Sequence, residues 1–300
     1  MLEQMIILAV FMLVGFILGK TGKVNPQNAS IISTILVFVC SPCVQIRTFS
    51  ANFTAEYISN HYLLLIAALV LIVVMHLLGA QIVKPLTKDP YEREIWRYSL
   101  VMPNYGFMGI AVVGGAMGSE ALLDFIVFTL PCTIYVYAVA YPILTRSKFK
   151  LKNLLTPALV SIFVGAILGL FQVELPSTVM KIINPFADAM GPLSMILSGI
   201  VISEYSLKEL LRGRNIYIVS ALRLLVLPVL LGVPAMLILP PSMGLIVVIF
   251  SCLACGLNTV VFPKLVGENC KHGAGLALVS SAISYVTVPI VVDVFTKIFM

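Results

Sequence analysis

Apolar and polar positions alternate along this chain in long blocks, with ten apolar runs at about 4–19, 29–46, 62–82, 98–117, 122–144, 154–171, 191–205, 216–238, 245–263 and 273–296. A helix that crosses a bilayer needs about 20 apolar residues, with a range of about 17 to 25. Each run lies near that range, and the first and seventh are the shortest. Short polar connections separate them. The pattern predicts an all-α integral membrane protein of ten transmembrane helices.

The runs fall into two sets of five that repeat at an offset of 150 residues. Val14-Gly15-Phe16-Ile17-Leu18-Gly19 reads again as Val164-Gly165-Ala166-Ile167-Leu168-Gly169. The same offset pairs Pro26 with Pro176, Pro42 with Pro192, Gly106 with Gly256 and Tyr135 with Tyr285. Matches among Ile and Val are cheap in apolar sequence. Glycines and prolines in register carry more weight. The expected domains are a first five-helix repeat, 1–150, and a second, 151–300.

Charge then sets the orientation of the repeats. The connections after odd-numbered runs hold Lys20, Lys23, Lys84, Lys88, Arg93, Arg97, Arg146, Lys148, Lys150, Lys152, Lys208, Arg212, Arg214, Lys264 and Lys271, fifteen of the 19 basic residues. The remaining connections and the ends hold Arg47, Lys181 and Lys297, and Arg223 lies within the eighth run. Lys and Arg gather in cytoplasmic loops, so both termini are expected outside. Five helices is an odd number, so the second repeat must be inverted. Inverted repeats build alternating-access transporters, with the substrate at the repeat interface near mid-membrane.

Composition agrees and excludes several classes. The chain is 60% hydrophobic and 11% charged, with a mean hydropathy of +1.07. A soluble domain is about half apolar and a quarter charged. The formal charge of +6 follows from loop orientation, so no nucleic-acid partner is implied; the lipid bilayer is the expected surround. The N-terminus lacks a basic region and a cleavage site, so a first span is expected there and not a removable signal peptide. The longest cytoplasmic connection, Lys84 to Arg97, is too short for a catalytic domain. No Gly-x-x-x-x-Gly-Lys loop for adenine nucleotide is present. No catalytic residue, metal site or cofactor is therefore expected, and the chain reads as no enzyme.

Two runs contain residues that break helices. In the fourth stands Pro103-Asn104-Tyr105-Gly106-Phe107-Met108-Gly109. Proline in a helix interior costs about 3 kcal/mol, glycine about 1 kcal/mol, and asparagine competes with the backbone ladder. The ninth run holds Cys255-Gly256-Leu257-Asn258-Thr259, with Gly256 at the repeat position of Gly106. Interruptions at corresponding positions of two repeats are the best sequence pointer to a transporter site. Each second half-helix starts at its break with free N–H groups and a positive dipole end, which suits a carboxylate. The expected substrate is a small organic anion. The expected substrate-binding residues are Asn104, Tyr105, Gly106, Gly256, Asn258 and Thr259. Ser41, Gln45 and Ser194, beside Pro42 and Pro192, either pack closely or face the same cavity.

The motif Asn104-Tyr105-Gly106-Phe107-Met108-Gly109-Ile110 resembles the Asn-x-Gly-Phe-x-Gly pattern of the auxin efflux carrier family, which includes plant auxin exporters and bacterial malate and malonate permeases. Ser280-Ser281-Ala282-Ile283-Ser284, followed by Pro289, is similar to the family's last helix. Ala111 and Ala254 stand where members commonly carry proline. The resemblance covers the whole chain. It implies ten helices with crossed, unwound fourth and ninth helices, a scaffold of spans 1, 2, 6 and 7 and a moving domain of the others. It also adds Ser281 to the site.

Arg223, in the eighth span, is expected to snorkel to the interface. His76 reads as a satisfied core histidine, with a proton relay as the alternative. Asp124, Asp188 and Asp293 are expected to be solvated at the outer face. Cys40-x-x-Cys43 and Cys252-x-x-Cys255 have a zinc-like spacing, but in apolar helices they read as small packing residues. The sequence thus points to a permease of the plasma membrane that carries a small organic anion by alternating access. The alternatives are a sodium-coupled organic-anion symporter of the bile-acid type and a channel. The coupling ion, H+ or Na+, and a homodimer are left open.

Overall fold

A computed structural model describes residues 1–268 and 270–300. The described residues are helical, with no strand beyond one isolated bridge between Pro103 and Cys255. Among the described residues, seven helices are long and apolar enough to cross a membrane. They are α1 (Leu2–Lys20), α2 (Pro26–Asn52), α4 (Leu63–Val83), α6 (Tyr105–Leu144), α8 (Ser177–Ser203), α9 (Arg214–Ile238) and α12 (Lys271–Phe299). Two shorter apolar helices are α7 (Pro157–Leu170) and α10 (Pro241–Cys252). Three more bear on the site and its surroundings: α3 (Ala55–His61), α5 (Pro90–Val101) and α11 (Asn258–Lys264), and single helical turns at Leu151–Leu154 and Leu207–Leu210 are left unnumbered.

Local chemistry accounts for several helix starts. Asp89 starts α5 by accepting the N–H groups of Tyr91 (2.7 Å) and Glu92 (3.0 Å), with Pro90 in the first turn. These bonds, that of Glu92 first, hold the Asp89 carboxyl below the usual carboxylate range. Thr156 caps α7 in the same way, ahead of Pro157. Three prolines deeper in the apolar helices leave a different mark. The chain widens into a π turn over Leu36–Cys40, Val136–Ala140 and Leu222–Val226, each two residues before a proline (Pro42, Pro142, Pro228). A proline ring clashes with the carbonyl four residues back, and one wider turn relieves the clash without ending the helix.

The 40 residues of α6 would span about 60 Å as a straight helix, twice the hydrocarbon thickness of a bilayer. The chain turns instead at Gly118, whose φ of 87° and ψ of −173° interrupt the helix. A side chain resists a positive φ, and glycine does not.

Two helix pairs approach at backbone distance. α1 lies against α8, where a Cβ on Gly15 would overlap the Ile196 carbonyl and one on Gly199 would overlap the Met12 carbonyl. α2 lies against α7, where Gly165 meets Gln45 and Phe49, and Gly169 meets the carbonyls of Phe49 and Phe53. Small residues permit this approach in membranes, where lipid supplies no hydrophobic drive between helices.

Several expectations change here. The seventh run starts not at Gly191 but at Ser177, so α8 takes in Pro185 and Pro192 as interior residues. Neighbouring helices re-satisfy backbone groups freed by proline in membrane proteins, so the proline at 192 did not mark a boundary. Likewise α5 begins at Pro90, eight residues before the expected start. Asp124 is buried, unlike Asp188 and Asp293. It accepts the Tyr57 hydroxyl at 2.6 Å, and His61 lies 3.7 Å away with its ring stacked on Tyr57. Helix α3, invisible to hydropathy, folds over it. Burial first, then Asp124, pushes the Tyr57 hydroxyl pKa above its ordinary value. Tyr57→Phe is expected to lower stability by about 1.5–3 kcal/mol, as for a hydrogen bond to a charged group. The readout is the melting temperature of the purified protein, and an unchanged value would mean that the hydroxyl contributes nothing.

Candidate functional site

The predicted interruptions are present, and they meet. Helix α5 ends at Val101, Met102 is extended, and α6 resumes at Tyr105 after Pro103 and Asn104. Helix α10 ends at Cys252, Leu253 is extended, and α11 resumes at Asn258. The two unwound stretches run antiparallel and bridge at Pro103 and Cys255. The Asn104 N–H donates to the Ala254 carbonyl at 2.8 Å, and the Cys255 N–H donates to Ser280 Oγ at 2.9 Å. The Asn104 carbonyl accepts the N–H groups of Met108 and Gly109, both at 3.0 Å. Irregular backbone survives at membrane depth only where protein or a water-filled cavity satisfies it. Here each break supplies partners to the other, and Ser280 of α12 supplies one more.

Against the crossing lies a cavity of about 150 Å³. Ser41, Gln45, Asn104, Tyr105, Gly106, Gly256 and Asn258 line it, together with Thr129, Thr133 and Tyr137. Among the described residues, no lining side chain is charged. The Tyr105 hydroxyl lies 3.1 Å from Thr133 Oγ1, and Asn258 Nδ2 donates to the Tyr98 hydroxyl at 2.8 Å. Gln45 is buried, and its Oε1 lacks a hydrogen-bond partner. An unpartnered buried polar atom costs about 1–3 kcal/mol, and this oxygen is enclosed by protein, off the open space of the cavity. The volume admits about five water molecules at roughly 30 Å³ each, or one small organic ion. Drug-sized ligands occupy pockets of about 300–1,000 Å³.

Three residues expected in the site lie off this cavity. Thr259 is fully buried and donates to the Gly256 carbonyl at 3.0 Å, closing the first turn of α11. Ser194 is fully buried and donates to the Gly191 carbonyl at 2.9 Å. Ser281 is buried in α12, one residue past the Ser280 that holds the break. In each case the side chain stays outside the cavity lining, which spacing along the chain does not determine.

The two glycines also differ. A Cβ on Gly106 would enter open space, whereas one on Gly256 would press on the Pro103 carbonyl oxygen at 3.2 Å and the Met102 carbonyl oxygen at 3.5 Å. Gly106 therefore faces the cavity and Gly256 serves the crossing.

Arg223 departs furthest from expectation. It does not snorkel; it is fully buried. Its guanidinium donates to three backbone carbonyls, Leu100 at 2.6 Å, Phe250 at 2.8 Å and Leu253 at 3.3 Å. The signal was visible as a charge inside an apolar run. Its partners were not, because carbonyls exist at every position and these lie far away in sequence. Tyr98 carried no signal for the same reason, and Ser280 stood in the motif of the last helix without any sign that it holds the break. His76 bonds through Nδ1 to the Tyr135 hydroxyl at 2.8 Å, away from the cavity. Cys252 donates its thiol to the Ile249 carbonyl, and among the described residues no group of three or more His, Cys, Asp or Glu is placed to hold a metal.

The family described as Membrane transport protein matches residues 1–148 and again 142–292. An uncharacterized transporter of Methanocaldococcus jannaschii is 25% identical over 220 residues, which cover 69% of this chain and 70% of that protein.

Proposed function

Since this chain belongs to the Membrane transport protein family, the family of the auxin efflux carriers, we propose that it carries a small organic anion, a carboxylate, across the plasma membrane by alternating access. The observation that carries this reading is the meeting of two broken helices at one small polar cavity. Alternating-access carriers place substrate at such discontinuous helices. A carboxylate needs donors, and the cavity presents them without a charged side chain. Asn104 lies at the start of α6, where the first N–H groups have no preceding turn to bond and the helix dipole is positive.

In this reading ten spans form two inverted repeats. Helix α5 with α6 up to Gly118 is the fourth span, the rest of α6 the fifth, and α10 with α11 the ninth. Equivalent glycines support it. Gly15 and Gly19 fit α1 to α8, and Gly165 and Gly169, 150 residues on, fit α7 to α2. Those four helices form the scaffold, and both termini face outward.

Counterflow in liposomes tests the reading. Purified protein is expected to exchange labelled malate, malonate or indole-3-acetate saturably, with each measured under sodium and proton gradients. Saturable exchange of neutral or cationic solutes alone would overturn the anion assignment. Flux that rises without saturation would make the protein a channel.

A further inference from the structure

The guanidinium of Arg223 touches both broken helices on the side opposite their restarting ends. Leu100 lies in the last turn of α5, Phe250 lies in the last turn of α10, and Leu253 follows it. The last carbonyls of a helix have no partner within it, and the dipole makes that end negative. At the crossing two such ends converge. In transporters of this architecture, unwound carbonyls and half-helix C-terminal ends commonly coordinate the coupling cation. Here they coordinate an arginine, which stays charged at any physiological pH. Its planar fork donates in several directions at once, as contact with three carbonyls from two helices requires. Among the described residues no carboxylate pairs with it; around it lie the carbonyls, the face of the Phe250 ring 5.7 Å away and the thiols of Cys132, Cys252 and Cys255.

We propose that Arg223 is the resident cation of the crossing: it joins the C-terminal ends of the two broken helices, fills the place of a coupling metal ion, and so makes transport independent of sodium. The joining role stands on geometry alone; the sodium clause rests on the carrier reading. One arginine is enough because the crossing brings both ends within its reach. The equivalent position in the first half is Val73. The charge also has a link to the cavity, since Phe250 lies between Arg223 and the cavity-lining Tyr105, whose ring is 6.1 Å from that of Phe250.

Hydrogen-exchange mass spectrometry of the full-length protein in lipid tests the joining role without any substrate. Arg223→Met keeps apolar bulk and removes the charge. It is expected to speed exchange around 100–109 and 250–258 by about tenfold or more, the loss of a charge-assisted hydrogen bond, while α1, α7 and α8 keep their protection. Exchange equal to wild type in those segments would overturn the proposal. Should Arg223→Met fail to fold, Arg223→Lys, a point charge without the fork, is expected to speed exchange in the same segments only. Uniform loosening of the whole protein by Arg223→Lys would overturn it. For the sodium clause, replacing sodium by choline at fixed ionic strength is expected to leave the wild-type melting temperature and carboxylate counterflow unchanged. A sodium-dependent shift in either would overturn that clause. If no carboxylate moves at all, the substrate reading fails, while exchange and melting still decide the role of Arg223.

Discussion

Leucine in place of Gly106 is expected to abolish carboxylate counterflow and leave the protein folded. A Cβ at this position meets nothing within 4 Å, so the longer side chain projects into a cavity of only about 150 Å³ without disturbing a neighbour. The local backbone gains from the change, because glycine in a helix costs about 1 kcal/mol relative to better helix formers. The melting temperature should therefore hold or rise slightly while transport falls by about tenfold or more, which corresponds to at least about 1.4 kcal/mol of lost binding. Gly256→Ala is the matched control. Its single methyl group presses on the backbone of Pro103 and Met102, and those atoms belong to the bridge that satisfies both breaks. Overpacking of this kind costs about 1–3 kcal/mol, so folded yield and transport should fall together. Parallel behaviour of the two variants in melting and counterflow measurements would mean that Gly106 does not face the substrate.

The second large effect falls far from the cavity. Alanine at Gly199, or at Gly15, is expected to reduce the yield of folded protein severely. At Gly199 the new Cβ would overlap the Met12 carbonyl and crowd the Phe16 N–H; at Gly15 it would overlap the Ile196 carbonyl. Both obstacles are helix backbone, which cannot rotate aside as a side chain can. The α1–α8 interface must then separate, and the cost is about 3 kcal/mol or more, the upper end of the range for overpacked sites. Size-exclusion profiles and melting temperatures of the purified variants measure it. A monodisperse Gly199→Ala protein with wild-type melting would show that α1 and α8 do not approach this closely. Gly22 is the control, since its position is open and outside the helices, although its φ of 70° makes alanine there strained in itself. A modest loss at Gly22 beside a severe one at Gly199 would separate backbone strain from steric exclusion.

Much of this architecture was legible in the residues. Hydropathy marked the apolar helices because burying a backbone in lipid forces long apolar runs, a property of each run by itself. The breaks at Pro103-Asn104 and Cys255-Gly256 were legible because proline, glycine and asparagine disrupt a ladder within four residues of themselves. The paired glycines at positions 15 and 19, and 165 and 169, stood out through the repeat, and all four sit at close helix contacts.

What remained was decided between elements. Pro192 broke no helix, because packing around α8 keeps it continuous from Ser177. Ser194, Thr259 and Ser281 share the polarity of Ser41 and Gln45, yet only the latter two line the cavity. Rotation of a helix about its axis depends on its neighbours. Asp124 was hidden by α3, a polar helix without an apolar run to announce it. Arg223 shows the limit most clearly. Its charge inside an apolar span is plain in the sequence, but its meaning is set by three carbonyls that only the crossing brings together. Composition and helix-breaking chemistry act locally, so the sequence alone determined the membrane class and the points where helices fail. The facing of side chains and the partners of a buried charge depend on contacts between distant segments, and those the tertiary structure decided.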